Sequence, residues 1–183
     1  MGSDIEIKPA SSLRLISEQL SQEPSTSQAE RFSVLLTASH LLSRPEELDS
    51  KLARILELLF RIFDFDQATL VRWTDDSPGH QVMVSRGRDG ANLAGGDKLS
   101  HTILTRVHER GVAVLTADAS EEIGSASLRA LDIRMCACVP LVTDKGSLGA
   151  LYAVRSGKTV GGGFGRDDLM FLSAFASEAA LAI

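Results

Sequence analysis

Two apolar runs joined by a turn constrain this chain more than anything else in it. Arg134 to Thr143 and Ser147 to Val154 are rich in β-branched and small apolar residues, and Asp144-Lys145-Gly146 separates them. The pattern is that of a β-hairpin. Neither run alternates apolar with polar positions, so both faces of the hairpin need cover. A Gly-rich stretch, Gly157 to Gly165, and a helical pattern from Arg166 onward come next. A hairpin buried on both sides and followed by a helix implies a sheet sandwiched between helices. The hairpin offers no obvious catalytic residue, so function is to be sought in what the sheet encloses.

At 183 residues the default is one domain with room for a real core. The formal charge of −5 gives no basic patch to argue for nucleic acid. No run of about 18 apolar residues exists to span a membrane, and the N-terminus lacks the charged and apolar regions of a signal peptide. Cys136 and Cys138, the two cysteines, lie two apart in one expected strand. Their side chains share a face, and strand geometry disfavours a bond between them. A reducing, cytoplasmic setting fits this best.

Along the chain, Asp4 to Lys8 reads as a strand remnant. Ser11 to Leu20 is a short amphipathic piece, and Ser21 to Gln28 is a linker by composition. The expected division is therefore a linker with a short helix over 1–28 and an organised domain over 29–183. A helix over Ala29–Leu42 carries an apolar stripe of Phe32, Leu35, Leu36 and Leu42. A second helix, opening at Ser43 or Pro45, carries Leu48, Leu52, Ile55, Leu56, Leu59 and Phe63 at i, i+3, i+4 spacing. Gln67–Trp73 and His80–Arg86 form a hairpin. Ser100 caps a helix to Arg110, which Gly111 stops. Val112–Thr116 is a short strand, Asp118–Ser125 a polar loop and Ser127–Leu131 a short helix. The last helix runs from Arg166 to Ile183 with Leu169, Leu172, Phe175, Ala176 and Ala179 on one stripe. The apolar pattern is still running at Ile183, so the chain reads as part of a longer protein. Short turns between neighbouring strands demand an antiparallel sheet. The class is α+β: a central antiparallel sheet of about six strands with helices on both faces.

This order, together with several local segments, resembles a GAF domain, a sensory relative of PAS domains. The segments are Leu48 to Phe63 followed by Asp66 to Arg72; Ser100-His-Thr-Ile-Leu104 with Gly111 to Asp118; Ile133 to Leu141; Leu148-Gly-Ala-Leu-Tyr152; and Phe164 with Asp167, Asp168 and Leu169. The nearest likeness is to GAF modules of bacterial signalling proteins such as cyclases, histidine kinases, sigma-54 activators and forkhead-associated/GAF proteins. The resemblance implies a ligand pocket between one sheet face and the helices at Ser100–Arg110 and Ser127–Leu131. It also implies a homodimer through the terminal helices. Ligands across the family include cyclic nucleotides, bilins, haem and amino acids, so the cofactor stays open.

Each chemical reading has a plainer rival. Cyclic-nucleotide GAF domains resemble a pattern of Asn-Lys, then Phe, three residues, and Asp-Glu. Here Arg155 and Ser156 replace the Asn-Lys pair, Phe164 and Asp168 agree, and Leu169 replaces the Glu. Packing by Phe164 and a helix N-terminus favoured by acidic residues explain the two matches. Cys136 and Cys138 sit mid-strand in an apolar run, where cysteine behaves as a small hydrophobe and not as a bilin or redox thiol. His101 and His108 are too far apart for one metal, and His40 and His80 add no ligand cluster. Gly161-Gly-Gly163 lacks the register and the Lys-Ser or Lys-Thr of a phosphate loop.

The expectation is a regulatory small-molecule sensor and not an enzyme, cytoplasmic, without nucleic acid, membrane or metal. An output domain would follow Ile183, and homodimerisation would use spare apolar surface on the first helix and Ala176, Ala179, Ala180 and Ala182 on the last. By position, the ligand-binding candidates are Trp73, Met83, His101, Thr102, Thr105, Asp118, Leu128, Met135 and Tyr152. The alternative is a ligand-free dimerisation and spacer module whose cavity is filled by Leu99, Leu104, Leu128 and Met135. A cyclic-nucleotide-binding GAF domain or a small redox enzyme comes after both.

Overall fold

In the computed structural model the described residues are 5–7, 26–76, 79–93, 98–116, 133–156 and 164–183. The elements are β1 (Ile5–Ile7), α1 (Thr26–Leu42), α2 (Leu48–Leu59), β2 (Gln67–Trp73), β3 (His80–Gly87), α3 (His101–Arg110), β4 (Ala113–Thr116), β5 (Ile133–Thr143), β6 (Gly146–Ser156) and α4 (Arg166–Ala180). The six strands form one sheet in the order β1-β4-β5-β6-β2-β3, every pairing antiparallel. The long β5–β6 hairpin supplies the centre, as its doubly apolar runs demand. β1 adds an edge strand to β4, so the sheet takes in part of the segment expected to precede the domain.

Two apolar half-cores flank the sheet. One is built by α1, α2 and α4 with Ala68, Leu70, Ala137, Val139, Leu151 and Ala153 of the strands. The other is built by Ile103, Leu104 and Val107 of α3 with Val71, Val114, Cys136, Cys138, Tyr152 and Val154. Alternation along each strand divides the sheet residues between the two. Gly111 closes α3 in the left-handed conformation at φ 61°, and its N–H donates to Val107 O at 2.9 Å, as the Arg110-Gly111 boundary led one to expect.

Three expectations change here. The stripe on α1 is rotated: Val34 and Ala38 face inward, whereas Phe32 and Leu36 are 44% and 56% exposed. Apolar residues on more than one side of α1 made its inward face ambiguous from periodicity. On α4, Ala176, Ala179 and Ala180 are buried inside this chain and do not form a small-residue face for a second copy. Ser100 holds the N-cap position of α3, but its hydroxyl makes no capping hydrogen bond. The loop at Asp118–Ser125, the short helix at Ser127–Leu131 and the Gly-rich stretch through Gly163 lie outside the described residues.

Candidate functional site on the α3 face of the sheet

Seven polar side chains are buried among the described residues: Gln67, Thr69, Ser85, Ser100, Thr116, Arg155 and Ser173. Five of them belong to the α3 side. On β2, Ala68 and Leu70 belong to the opposite half-core and Val71 to this one, which puts Gln67 and Thr69 on the α3 face. Ser85 lies across from Thr69. The three form a closed cluster: Gln67 Nε2 donates to Thr69 Oγ1 and Ser85 Oγ, both at 3.2 Å, and the two hydroxyls are 2.7 Å apart.

Tyr152 stands opposite Thr69 on β6 and is buried. Its hydroxyl accepts a hydrogen bond from Ser100 N at 3.0 Å, which moors the start of α3 to the middle of the sheet. It is also hydrogen-bonded to Cys136. Cys136 in turn lies opposite Thr116 on β4. Ser100 Oγ and Thr116 Oγ1 are both buried without a hydrogen-bond partner.

At the end of the sheet, Gln67 also lines an open groove of ≈ 580 Å³ with Asp66, Gly87, Arg88, Asp89, Leu93 and Lys98. Lys98 Nζ donates to Ser156 Oγ at 2.6 Å, and Asp66 Oδ2 accepts from Ser156 N at the same distance. Polar side chains thus run from this rim inward to Thr69 and Ser85.

The residues singled out by position divide between the two faces. Tyr152 and Trp73 belong to the α3 side. Trp73 Nε1 donates to Ser147 Oγ at 2.9 Å, and its ring lies 4.6 Å from that of His108. Met83 does not join them, because it packs against the α1/α2/α4 half-core. Alternation from Ser85 would put it on the α3 face, but a bulge sets Val82 opposite Val71 and Val84 opposite Leu70, leaving Met83 as the extra residue. Met135 neighbours Cys136 and so faces the other way; its sulfur takes a 3.9 Å contact from Arg155 Nη1. His101 and Thr102 are exposed and Thr105 is half-buried, because α3 presents Ile103, Leu104 and Val107 to the sheet. The His101 ring lies 6.1 Å from that of His80, at the rim. Asp118 and Leu128 lie outside the described residues. The cluster of Gln67, Thr69 and Ser85 was missed; its signal was three polar residues at same-face spacing in two otherwise apolar strands.

The GAF domain family model matches residues 47–183. The chain belongs to the GAF family. Solved structures agree in fold. The phycocyanobilin-bound GAF domain from a cyanobacterial phytochrome is 14% identical, covers 83% of this chain and 92% of its own, and superposes with a TM-score of 0.63. The GAF domain of a phosphoenolpyruvate-protein phosphotransferase from Coxiella burnetii is 17% identical, with coverages of 86% and 94% and a TM-score of 0.64. A free methionine-R-sulfoxide reductase from Neisseria meningitidis, in complex with its substrate, is 16% identical, with coverages of 88% and 92% and a TM-score of 0.63. No curated protein matches the chain.

Within this GAF domain Arg155, Phe164 and Asp168, three of the positions compared with the cyclic-nucleotide pattern, are engaged in the scaffold on the far face. Arg155 Nε donates to the Asp64 carbonyl at 2.8 Å, and its guanidinium lies 4.6 Å from the centroid of the Phe164 ring. Asp168 accepts from Gly165 N at 2.8 Å and pairs with Arg31, joining the start of α4 to α1. Among the described residues no three His, Cys, Asp or Glu side chains are grouped to hold a metal ion. No helix among them is long and apolar enough to cross a membrane.

Burial, with a smaller contribution from Cys136, holds the Cys138 thiol well above its ordinary value. Burial and Cys136 do the same to the Tyr152 phenol. Both groups therefore keep their protons more tightly folded than unfolded. Their neutral forms do not limit stability below the ordinary thiol value of 9.0. Above it the unfolded chain loses its thiol proton first, and stability falls with pH; above the ordinary phenol value of 10.0 the slope steepens. The expected loss is about 1.4 kcal/mol per pH unit for each group. Denaturant midpoints measured from neutral to alkaline pH check this, with Cys138→Ala reducing the slope of the first segment. A midpoint that stays flat through the thiol range would contradict it.

Proposed function

We propose that this GAF domain is a regulatory small-molecule sensor of a bacterial cytoplasmic signal-transduction protein. The observation that carries the reading is the asymmetry of the two half-cores. Five of the seven buried polar side chains described lie on the α3 side, interleaved with apolar ones. Ligand sites combine mostly apolar walls with a few placed polar groups, which this face supplies. A ligand with different affinity for two arrangements of α3 would shift the balance between them and so bias the terminal helices. Binding is non-covalent here, because Cys136 and Cys138 are buried and thiolate formation at Cys138 is suppressed.

Native mass spectrometry of the protein as purified tests this. A dimer carrying an added small mass supports the sensor and gives the ligand's molecular weight. Bare dimers, with no spectral change on adding metabolite pools, favour the spacer module. One observation favours that second reading: Ile103, Leu104, Val107 and Tyr152 are packed tightly between α3 and the sheet.

The homodimer is part of the proposal. With the alanines of α4 turned inward, its support is the exposed apolar set Phe32, Leu36 and Leu181, the last 76% exposed at the end of α4. Phe32 and Leu36 are one helical turn apart and share a face. Phe32→Glu with Leu36→Glu is expected to weaken dimerisation by roughly a hundredfold, about 3 kcal/mol, without loss of fold. Sedimentation equilibrium alongside circular dichroism reads both. An unchanged dimer would move the interface elsewhere.

A further inference from the structure

On the α3 face, Ser100 and Thr116 are, among the described residues, the two whose side-chain hydroxyls are buried and unused. Ser100 is 0% exposed and Thr116 1%, and neither hydroxyl has a partner. Buried hydroxyls in folded proteins are nearly always hydrogen-bonded, because leaving one unmade sacrifices its hydration for nothing. The two stand at opposite ends of one run of contacts. Thr116 lies across from Cys136, Cys136 is hydrogen-bonded to the Tyr152 hydroxyl, and that hydroxyl accepts from Ser100 N. At the Ser100 end the ten-residue helix α3 begins with no side-chain cap, so its first N–H groups add donors and a partial positive charge.

The charge balance of this face narrows what could meet those groups. Arg155 is the one charged side chain among the buried residues described, and it is committed to Asp64 and Phe164 on the other side of the sheet; Arg106 of α3, whose side chain is 14% exposed, is paired with Glu6 of β1. Cys138 and Tyr152 are held neutral. An ionised group brought between Ser100 and Thr116 would lose its hydration and find no full counter-charge. Hydroxyls that can rotate to donate or accept match a neutral group that does the same. An oxygen acceptor also suits the start of α3.

We propose that Ser100 and Thr116 anchor a small uncharged ligand bearing hydroxyl or carboxamide groups, held between the start of α3 and the end of β4. The proposal rests on the sensor reading and specifies the ligand class for it.

The test uses the full chain and three variants, Ser100→Ala, Thr116→Val and Thr116→Ser, in thermal unfolding with and without probes. The neutral probes are meso-erythritol, 1,2-propanediol and propionamide; the charged ones are acetate and inorganic phosphate at matched ionic strength. Without probe, Ser100→Ala and Thr116→Val are each expected to raise Tm by about 2–4 °C, since each removes an unsatisfied buried hydroxyl. At least one neutral probe should raise the wild-type Tm, with the shift lost in those two variants and kept in Thr116→Ser. A fall in Tm of the probe-free variants would overturn the proposal, because the hydroxyls would then be serving the fold. A shift given only by acetate or phosphate and abolished by the variants would overturn the ligand class and leave the sensor reading standing. No shift with any probe, together with bare chains in the native mass spectrum, would overturn both.

Discussion

Gly149→Ala is expected to destabilise the domain by about 3 kcal/mol or more, at or beyond the upper end of ordinary overpacking. Gly149 lies in β6 opposite Arg72 of β2, in the middle of the sheet. A Cβ built there would overlap the Val71 carbonyl oxygen, lie 2.9 Å from its carbonyl carbon and 3.0 Å from Arg72 Cα. All three are backbone atoms, so no side chain can rotate away. β2 cannot retreat either, because β3 is paired to its other edge. The strands would have to part where Tyr152 and Thr69 face each other three residues along, so the polar cluster would be disturbed as well. Equilibrium denaturation measures the loss. A midpoint within about 1 kcal/mol of the wild type would show that β2 and β6 tolerate separation.

Phe65→Ala is expected to cost about 3–5 kcal/mol. The ring is buried, stacked on Phe164 with centroids 4.7 Å apart and tilted against Phe63 at 5.2 Å. Phe63 also meets Phe171 of α4 at 5.7 Å. This aromatic group joins the segment after α2 to the start of α4. Arg155 lies over Phe164 from the sheet side. Removing Phe65 opens a cavity and also leaves Phe164 with one face unsupported, adding the loss of an aromatic pair. Phe65→Leu should cost less than half as much, since it keeps most of the buried volume. Equal losses in the two variants would show that the ring geometry, and not the volume, is what matters there.

The same region bears on how function could be reached. Arg31, Phe63, Phe171 and Asp168 connect α1 to α4, while Tyr152 and Ser100 connect α3 to the sheet. β6 is common to both sets: Tyr152 faces α3, and Arg155, three residues on, faces Phe164. In the proposed sensor a change at Tyr152 has a short covalent route to the terminal helices through that strand.

How far the site was legible depends on the element. The hairpin at β5 and β6, the face of α2 and the Gly111 stop on α3 follow from local pattern and appear where the residues put them. Tyr152 was legible as a site candidate because it is a lone aromatic with a polar end in an apolar strand. Met83 was not, because one inserted residue in β3 reverses the side to which it points. Nor was the silence of the Ser100 hydroxyl. At the head of a helix a serine is expected to cap, and only the burial of that hydroxyl beside Tyr152 shows it unused.

What the sequence by itself determined is the strands and helices of the described residues, their antiparallel connection by short turns, and a sheet covered on both sides. These depend on periodicity and turn chemistry, which act over a few residues. The tertiary structure alone decided which side of each strand meets α3, which face of α1 stays exposed, and that Gln67, Thr69 and Ser85 close on one another. Those outcomes depend on strand register, on the bulge between Leu70 and Val71, and on helices competing for the same apolar surface. Such contacts form between residues far apart in the chain, and no local pattern encodes them.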